Sequence, residues 1–109
     1  VAYPQIDVVD LGSATGIVTL DFNAIGIPDK FIVEFDGVEV INTGYRGNTS
    51  NQTQLNAALA NLGLPSETIQ SPAYGTATFN KTTATTTATV KVFAPLPGTG
   101  WNYTLSCPQ

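Results

Sequence analysis

Hydrophobic and polar residues alternate along several short runs of this chain, and the clearest of these runs begins at Phe31. In it, Phe31, Val33 and Phe35 alternate with Ile32 and Glu34. Successive side chains of a strand point to opposite faces, so a period of two places these two sets on different faces. The pattern therefore predicts a strand whose phenylalanine face is buried.

A turn signal follows this strand directly, because Asp36 and Gly37 separate it from a second β-forming run. Gly37 accepts a positive φ freely and Asp36 tolerates one, so this dipeptide favours a two-residue type I′ turn. The two runs are therefore predicted to form a β-hairpin over residues 31–35 and 38–42.

Further runs of the same character recur along the chain, with Gly and Pro breaks between them. Besides the hairpin, we predict strands at residues 5–9, 16–22, 76–79, 87–93 and 101–107. Several short strands separated by turn residues indicate a sandwich, because one face of each strand must be covered by another sheet. The predicted fold class is all-β: an antiparallel, jelly-roll-like β-sandwich, with residues 1–109 forming one domain. In the last strand, the aromatic residues Trp101 and Tyr103 are expected to face inward.

One segment departs from the strand pattern and predicts a helix. Apolar residues recur there at the helical spacing of three and four, namely at Leu55, Ala58, Leu59 and Leu62. Ser50 or Asn51 can cap the start of this helix, and Gly63 with Pro65 can end it. We therefore predict one short α-helix at about residues 51–62, covering an edge or an open end of the sandwich.

The charge of the chain limits the partners it can bind. Charged residues make up 11% of the 109 residues, the net charge is −4 and only four residues are basic. Four basic residues are too few to neutralise a phosphate backbone. We therefore expect no nucleic acid partner. No apolar run approaches the length of a membrane span, so we also expect no membrane insertion.

The inventory of catalytic side chains is poor. The chain has no His, which excludes Ser-His-Asp and Cys-His mechanisms and the commonest zinc ligand. Two carboxylates could serve a glycosidase, and Glu34 and Glu39 lie nearly opposite each other in the predicted hairpin. We favour the alternative that both are solvent-exposed on the sheet surface. Cys107 has no partner for an intrachain disulfide and is expected to be a small buried residue. We therefore predict a protein that is not an enzyme and has no catalytic residues.

Oxygen ligands for a metal ion occur in the segment that joins the second predicted strand to the hairpin. Asp21 and Asp29 stand at its two ends, with Asn23 between them. Carboxylate and amide oxygens suit calcium, so Asp21, Asn23 and Asp29 are candidate calcium ligands. Apart from calcium, no cofactor is predicted. The alternative is that Asp29 caps a turn and that Asp21 ends its strand in solvent.

Candidate ligand-binding residues follow the hairpin, where Tyr45, Arg46 and Asn48 lie in a predicted loop. An aromatic ring beside planar hydrogen-bonding groups suits a sugar ring, which has an apolar face and directional hydroxyls. Tyr74 is a further candidate, whereas Trp101 is expected to lie in the core. The alternative is that Tyr45 packs on the predicted helix and that Arg46 pairs with a nearby acid.

Two segments of the chain resemble small β modules found in phage virion proteins and secreted bacterial proteins. They are residues 27–44, with the sequence IPDKFIVEFDGVEVINTG, and residues 98–108, with the sequence GTGWNYTLSCP. In those modules an Ile-Pro-Asp hairpin ends in Thr-Gly, and a closing strand carries a Gly-Thr-x-Trp motif. The matching segments cover less than half of the chain. The resemblance implies a non-catalytic structural or adhesive module on a virion or cell surface.

We therefore expect a virion structural or decoration module, or a tail- or fibre-associated one, in a virion or extracellular setting. Its expected partners are other virion or surface subunits, and its exposed sheet edges also suit a homo-oligomer. A carbohydrate-binding module, with or without calcium, is the alternative function. The sequence leaves open which partner or glycan binds, the number of subunits, and whether the chain is a whole protein or part of a longer one.

Overall fold

The computed structural model describes residues 4–98 and 100–108, which form two packed β-sheets. In chain order the elements are β1 (Gln5–Asp10), β2 (Gly16–Asn23), β3 (Asp29–Phe35), β4 (Val38–Arg46), α1 (Gln52–Asn61), β5 (Tyr74–Lys81), β6 (Thr87–Phe93) and β7 (Asn102–Ser106). The four-stranded sheet has the order β1-β6-β3-β4, the three-stranded sheet has the order β5-β2-β7, and the strands pair antiparallel. The prediction of an all-β antiparallel sandwich with one short helix is confirmed.

The core lies between the inner faces of the two sheets. Phe31, Val33 and Phe35 are buried there, as the alternation predicted. The ring of Phe22 lies 5.5 Å from that of Phe31, and the rings of Phe35 and Phe79 are also 5.5 Å apart. Aromatic pairs at such distances contribute about 0.5–1.5 kcal/mol each beyond the area they bury. These pairs therefore help to hold the two sheets together.

The β3–β4 hairpin closes through the predicted type I′ turn. Asp36 and Gly37 have φ values of 51° and 76°, both positive as this turn requires. Glu34 pairs with Glu39 across the hairpin, also as predicted. The Asp36 carboxylate accepts a hydrogen bond of 2.7 Å from the Thr83 hydroxyl. The turn is therefore tied to the loop between β5 and β6.

Strand β4 extends further than the alternation predicted. The prediction ended this strand at Asn42 and placed the following residues in a loop, whereas β4 runs to Arg46. Tyr45 pairs with Lys30 after an irregularity in the register, and Gly44 has a φ of 70° there. A bulge inserts an extra residue and shifts the alternation, while pairing resumes beyond it. The period of two consequently fails as a guide to the end of this strand.

Helix α1 covers one end of the outer face of the four-stranded sheet. The prediction placed it at residues 51–62, and it spans Gln52–Asn61 after a short 3-10 turn at Thr49–Asn51. A second, smaller core forms beneath it from Tyr45, Leu55, Leu59 and Ile69. Within the described residues, no helix has the length and apolar character needed to cross a membrane. The helix therefore packs on the outer face of this sheet, through Tyr45 and Phe93, and not on an edge or an open end of the sandwich as predicted.

Candidate functional site

The outer face of the three-stranded sheet brings three of the predicted site residues together. Asp21 and Asn23 point outward from β2, and Tyr74 lies directly opposite Asn23 at the start of β5. Leu20 and Phe22, which alternate with Asp21 and Asn23 along β2, are buried in the core. Tyr74 was a predicted ligand residue, whereas Asp21 and Asn23 were predicted metal ligands. The sheet thus places all three on one surface.

Cross-strand pairing arranges this surface in three rows. The rows are Tyr74–Asn23–Asn102, Thr76–Asp21–Thr104 and Thr78–Thr19–Ser106. We call these nine residues the hydroxyl–amide face. Each carries a hydroxyl, an amide or a carboxylate, and Asp21 is the single charged member. Such groups both donate and accept hydrogen bonds, so the face suits a polar, uncharged ligand.

Internal hydrogen bonds orient the side chains in the middle of this face. The Thr76 hydroxyl donates to the Asp21 carboxylate at 2.8 Å, and the backbone N–H of Ile25 donates to the side-chain oxygen of Asn23 at 2.7 Å. Tyr74 stands beside them with 61% of its surface exposed. These bonds hold the central side chains of the face in place, and the Tyr74 ring beside them is accessible.

Ile25, just beyond the first row, holds a strained backbone conformation. Its φ is 69°, a region that β-branched residues rarely enter, and such strain costs about 1–3 kcal/mol. The side chain is 63% exposed, so burial offsets little of this cost. Strain that persists in this way clusters at ligand-contact sites. Ile25 therefore marks this end of the hydroxyl–amide face as a candidate contact.

Tyr45, a predicted ligand residue, lies away from this face and is buried. It is 1% exposed and packs with Leu55 and Leu59 of the helix, so the alternative interpretation of this ring is confirmed. The Lys30 ammonium lies 4.9 Å from the ring centre and pairs with Glu67 at 3.1 Å. Because the ring is covered, it offers no stacking surface to a sugar.

Arg46 and Asn48, the other two predicted ligand residues after the hairpin, also make internal contacts. The Arg46 side chain donates to the carbonyls of Thr43 and Pro72 at 2.9 Å and 3.3 Å, respectively. The Asn48 side chain accepts a hydrogen bond of 3.0 Å from the backbone N–H of Ser50. This bond caps the short helical turn before α1. Both side chains therefore support the loop structure, and neither lies on the hydroxyl–amide face.

The structure does not bring the three predicted calcium ligands to one place. Asp21 points outward from the three-stranded sheet, whereas Asp29 is fully buried in the four-stranded sheet. Across the described ranges, no group of three or more His, Cys, Asp or Glu side chains could hold a metal ion. The remaining pair, Asp21 and Asn23, supplies few of the six to eight oxygen ligands that calcium takes.

The predicted carboxylate pair lies on the outer face of the four-stranded sheet. Glu34 pairs with the Lys91 ammonium at 3.1 Å, and Glu39 accepts a hydrogen bond of 3.4 Å from the Asn42 amide. Glu39 is exposed and Glu34 is half-buried. This arrangement agrees with the favoured interpretation of a pair on the sheet surface.

The expectation of a buried Cys107 is wrong, because the structure places this thiol at the surface. β7 ends at Ser106, so the inward alternation of the strand stops one residue before Cys107. The thiol lies 4.0 Å from the backbone oxygen of Asp10 at the end of β1. Trp101 and Tyr103, on the same alternation, do pack against the core as expected.

Lys81 is a buried charged residue that sequence reasoning missed. It is fully buried, its ammonium donates to the Thr83 carbonyl at 2.7 Å, and it lies 5.6 Å from the Phe35 ring centre. Nearby, hydrogen bonds from Thr85 and Thr83 lower the pKa of the Asp36 carboxyl. The sequence did contain a signal for the burial of Lys81, because this residue follows the buried Phe79 at the strand period of two.

A groove of about 530 Å³ lies where the β6–β7 connection meets β1. Its lining includes Trp101, Leu96, two prolines and Gln5. Beside it, the Tyr103 hydroxyl donates to the Asp7 carboxylate at 2.6 Å. Burial and the Asp7 carboxylate both raise the pKa of Tyr103. The lining is mainly apolar, and the Gln5 amide supplies most of its directional hydrogen bonding, so the groove is poorer in such groups than the hydroxyl–amide face.

The outer edge of β1 is a second candidate surface. Ile6 and Val8 are 57% and 70% exposed, and β1 is an end strand of its sheet. The Leu11 N–H donates to the Thr86 carbonyl at 2.6 Å, which places this residue pair in hydrogen-bonding contact. Hydrogen-bonded and non-hydrogen-bonded pairs alternate along an antiparallel ladder. Counting back from Leu11, every second residue of β1 is hydrogen-bonded to β6, and Ile6 and Val8 fall at the non-hydrogen-bonded positions between them. Their N–H and C=O groups therefore point away from β6, toward the free edge.

The two candidate surfaces differ in chemistry. The hydroxyl–amide face offers polar side chains and one exposed ring, whereas the β1 edge offers backbone hydrogen-bonding groups and apolar side chains. No protein-family model, curated protein or solved structure matches this chain.

Proposed function

We propose that this chain is a non-catalytic structural module of a virion or cell surface, which assembles with another protein subunit through the edge of β1. The observation that carries the proposal is the exposure of Ile6 and Val8 on an end strand. Their backbone groups and apolar side chains together form a template for an added strand. A decoration, tail-associated or fibre-associated role fits the resemblance of two segments to phage virion modules.

Charge at the edge favours a different subunit over a second copy of the chain. The self-pairing register that places Ile6 opposite Val8 of a second copy also places Asp7 opposite Asp7. Like charges directly opposite each other destabilise a strand pair. In that register Asp7 disfavours self-pairing, and an extended strand without an acid at that position is the better partner.

Site-specific crosslinking in the intact particle or surface that carries this chain tests the proposal. A photoreactive residue at position 8 should crosslink to an extended segment of another subunit, and the same residue at position 78, on the hydroxyl–amide face, should not. Light scattering of the purified chain should show a monomer at neutral pH. Equal crosslinking from both positions, or none from position 8, would contradict the proposal.

A further inference from the structure

We infer that the hydroxyl–amide face binds an uncharged glycan chain, with the Tyr74 ring stacking on a sugar. This site is independent of the β1 edge, because it lies on the outer face of the other sheet. The inference rests on three properties of the face: its hydrogen-bonding groups, its charge and its order before binding.

The hydrogen-bonding groups of the face match those of a sugar. The first row places the Tyr74 ring beside the Asn23 and Asn102 amides. A sugar ring has an apolar face that packs on an aromatic ring, and hydroxyls that both donate and accept. An exposed ring next to two amides therefore provides both kinds of contact in one row.

Charge restricts the ligand to neutral glycans. None of the four basic residues belongs to this face: Lys30 and Lys91 lie on the other sheet and pair with acids, Lys81 is buried, and Arg46 lies against the Phe22 ring. A sulfated or sialylated glycan would find no cation on the face and would meet the Asp21 carboxylate. A neutral polyhydroxyl chain avoids this repulsion.

The face is ordered before a ligand binds, which lowers the entropy cost of binding. Asn23 and Asp21 are held by the Ile25 N–H and the Thr76 hydroxyl. Ile25, two residues beyond Asn23, adds an exposed apolar side chain near the first row. At about 3.3 Å per residue, Tyr74 and Thr78 are separated by about 13 Å along β5. The face can therefore lie along an extended chain of several sugar units.

Glycan binding by the purified chain provides the test. The probes are neutral hexasaccharides of glucose, mannose, galactose and N-acetylglucosamine, with heparin and polysialic acid as anionic comparisons. We expect binding to at least one neutral probe and to neither anionic one. Tyr74→Ala should weaken that binding by about tenfold, whereas Tyr74→Phe keeps the ring and should bind nearly as the wild type does. Asn102→Ala, at a second exposed position of the same row, should also weaken it.

The control is Val8→Ala, which alters the β1 edge and should leave glycan binding unchanged. Because this measurement needs no partner subunit, it can fail while the assembly proposal stands, and the reverse also holds. Absence of binding to every neutral probe would overturn the inference. Binding to anionic probes alone, or equal binding by wild type and a folded Tyr74→Ala, would overturn it as well.

Discussion

The outer faces of the two sheets differ in their chemistry, although the inner faces of both sheets are formed by the same alternation of buried and exposed residues. The four-stranded sheet carries a helix at one end, the ion pair of Lys91 with Glu34, and exposed Ile6 and Val8 at its edge. The outer face of the three-stranded sheet is the hydroxyl–amide face, and no element of the described residues covers it. Packing constrains the inner faces, so specialised chemistry is found on the outer ones.

The largest effect should come from removing the packing of the helix on the four-stranded sheet. Leu59 is fully buried in the second core, and truncating such a side chain costs about 2–5 kcal/mol. Leu59→Ala should therefore lower the free energy of unfolding in urea by that amount. Leu62→Ala, at a position that is 48% exposed, is the matched control and should change it little. If Leu59→Ala lowered the free energy of unfolding no more than Leu62→Ala does, the packing of the helix would not stabilise this sheet.

A smaller loss is expected beneath the hydroxyl–amide face. A methyl group on Gly75 would lie 3.1 Å from the Phe22 ring, so the ring must move. Overpacking of a core costs about 1–3 kcal/mol, and Gly75→Ala should lower the free energy of unfolding accordingly. Gly26→Ala, where the added methyl meets nothing within 4 Å, serves as the control. No loss in Gly75→Ala would mean that Phe22 can repack freely.

Ile25→Asn should separate stability from ligand binding on this face. Asn tolerates a positive φ better than a β-branched residue, so relief of strain should raise the free energy of unfolding by about 1 kcal/mol. The same variant removes an exposed apolar contact and should weaken glycan binding. Thermal unfolding and glycan titration measure the two effects. A destabilised variant would contradict the assignment of strain to Ile25.

Alkaline unfolding should test the contact between the two sheets at Tyr103 and Asp7. The pKa of Tyr103 is raised in the folded protein, so its contribution to stability is fully present below the unfolded pKa of about 10. This contribution should be lost as the pH rises above that value, because the unfolded state releases the proton first. Urea unfolding between pH 8 and 11 should show a smaller decline in Tyr103→Phe. Tyr74→Phe, at the exposed ring, is the control.

The smallest effect is expected from calcium. Asp21 and Asp29 do not converge, so adding calcium or EDTA should leave the melting temperature and the mass in solution unchanged. Calorimetry and light scattering of the purified chain provide the measurement. A calcium-dependent rise in melting temperature would restore the predicted ligand set as a binding site.

The fold was largely predictable because its signals are local. The alternation at Phe31, Val33 and Phe35 and the turn at Asp36-Gly37 each depend on neighbouring residues. The end of β4 was missed because a bulge at Gly44 changes the alternation. Cys107 was misplaced because alternation does not show where a strand ends.

The candidate site was predictable only in part. Tyr74, Asp21 and Asn23 were selected for separate reasons, as a ligand residue and as metal ligands, and the pairing of β2 with β5 made them one surface. The covering of Tyr45 by α1 removed one of the aromatic rings that the sequence offered as candidates. Both outcomes depend on residues far apart in the chain.

The sequence by itself determined where along the chain the strands, the hairpin and the helix lie, though not all of their ends, because a period of two or of three to four is a property of adjacent residues. It also determined the low charge and the absence of His, which narrow the available chemistry. Only the tertiary structure decided which side chains share a surface and which are covered. Strand order and register depend on long-range packing, so the hydroxyl–amide face and the free edge of β1 exist only once the sandwich has formed.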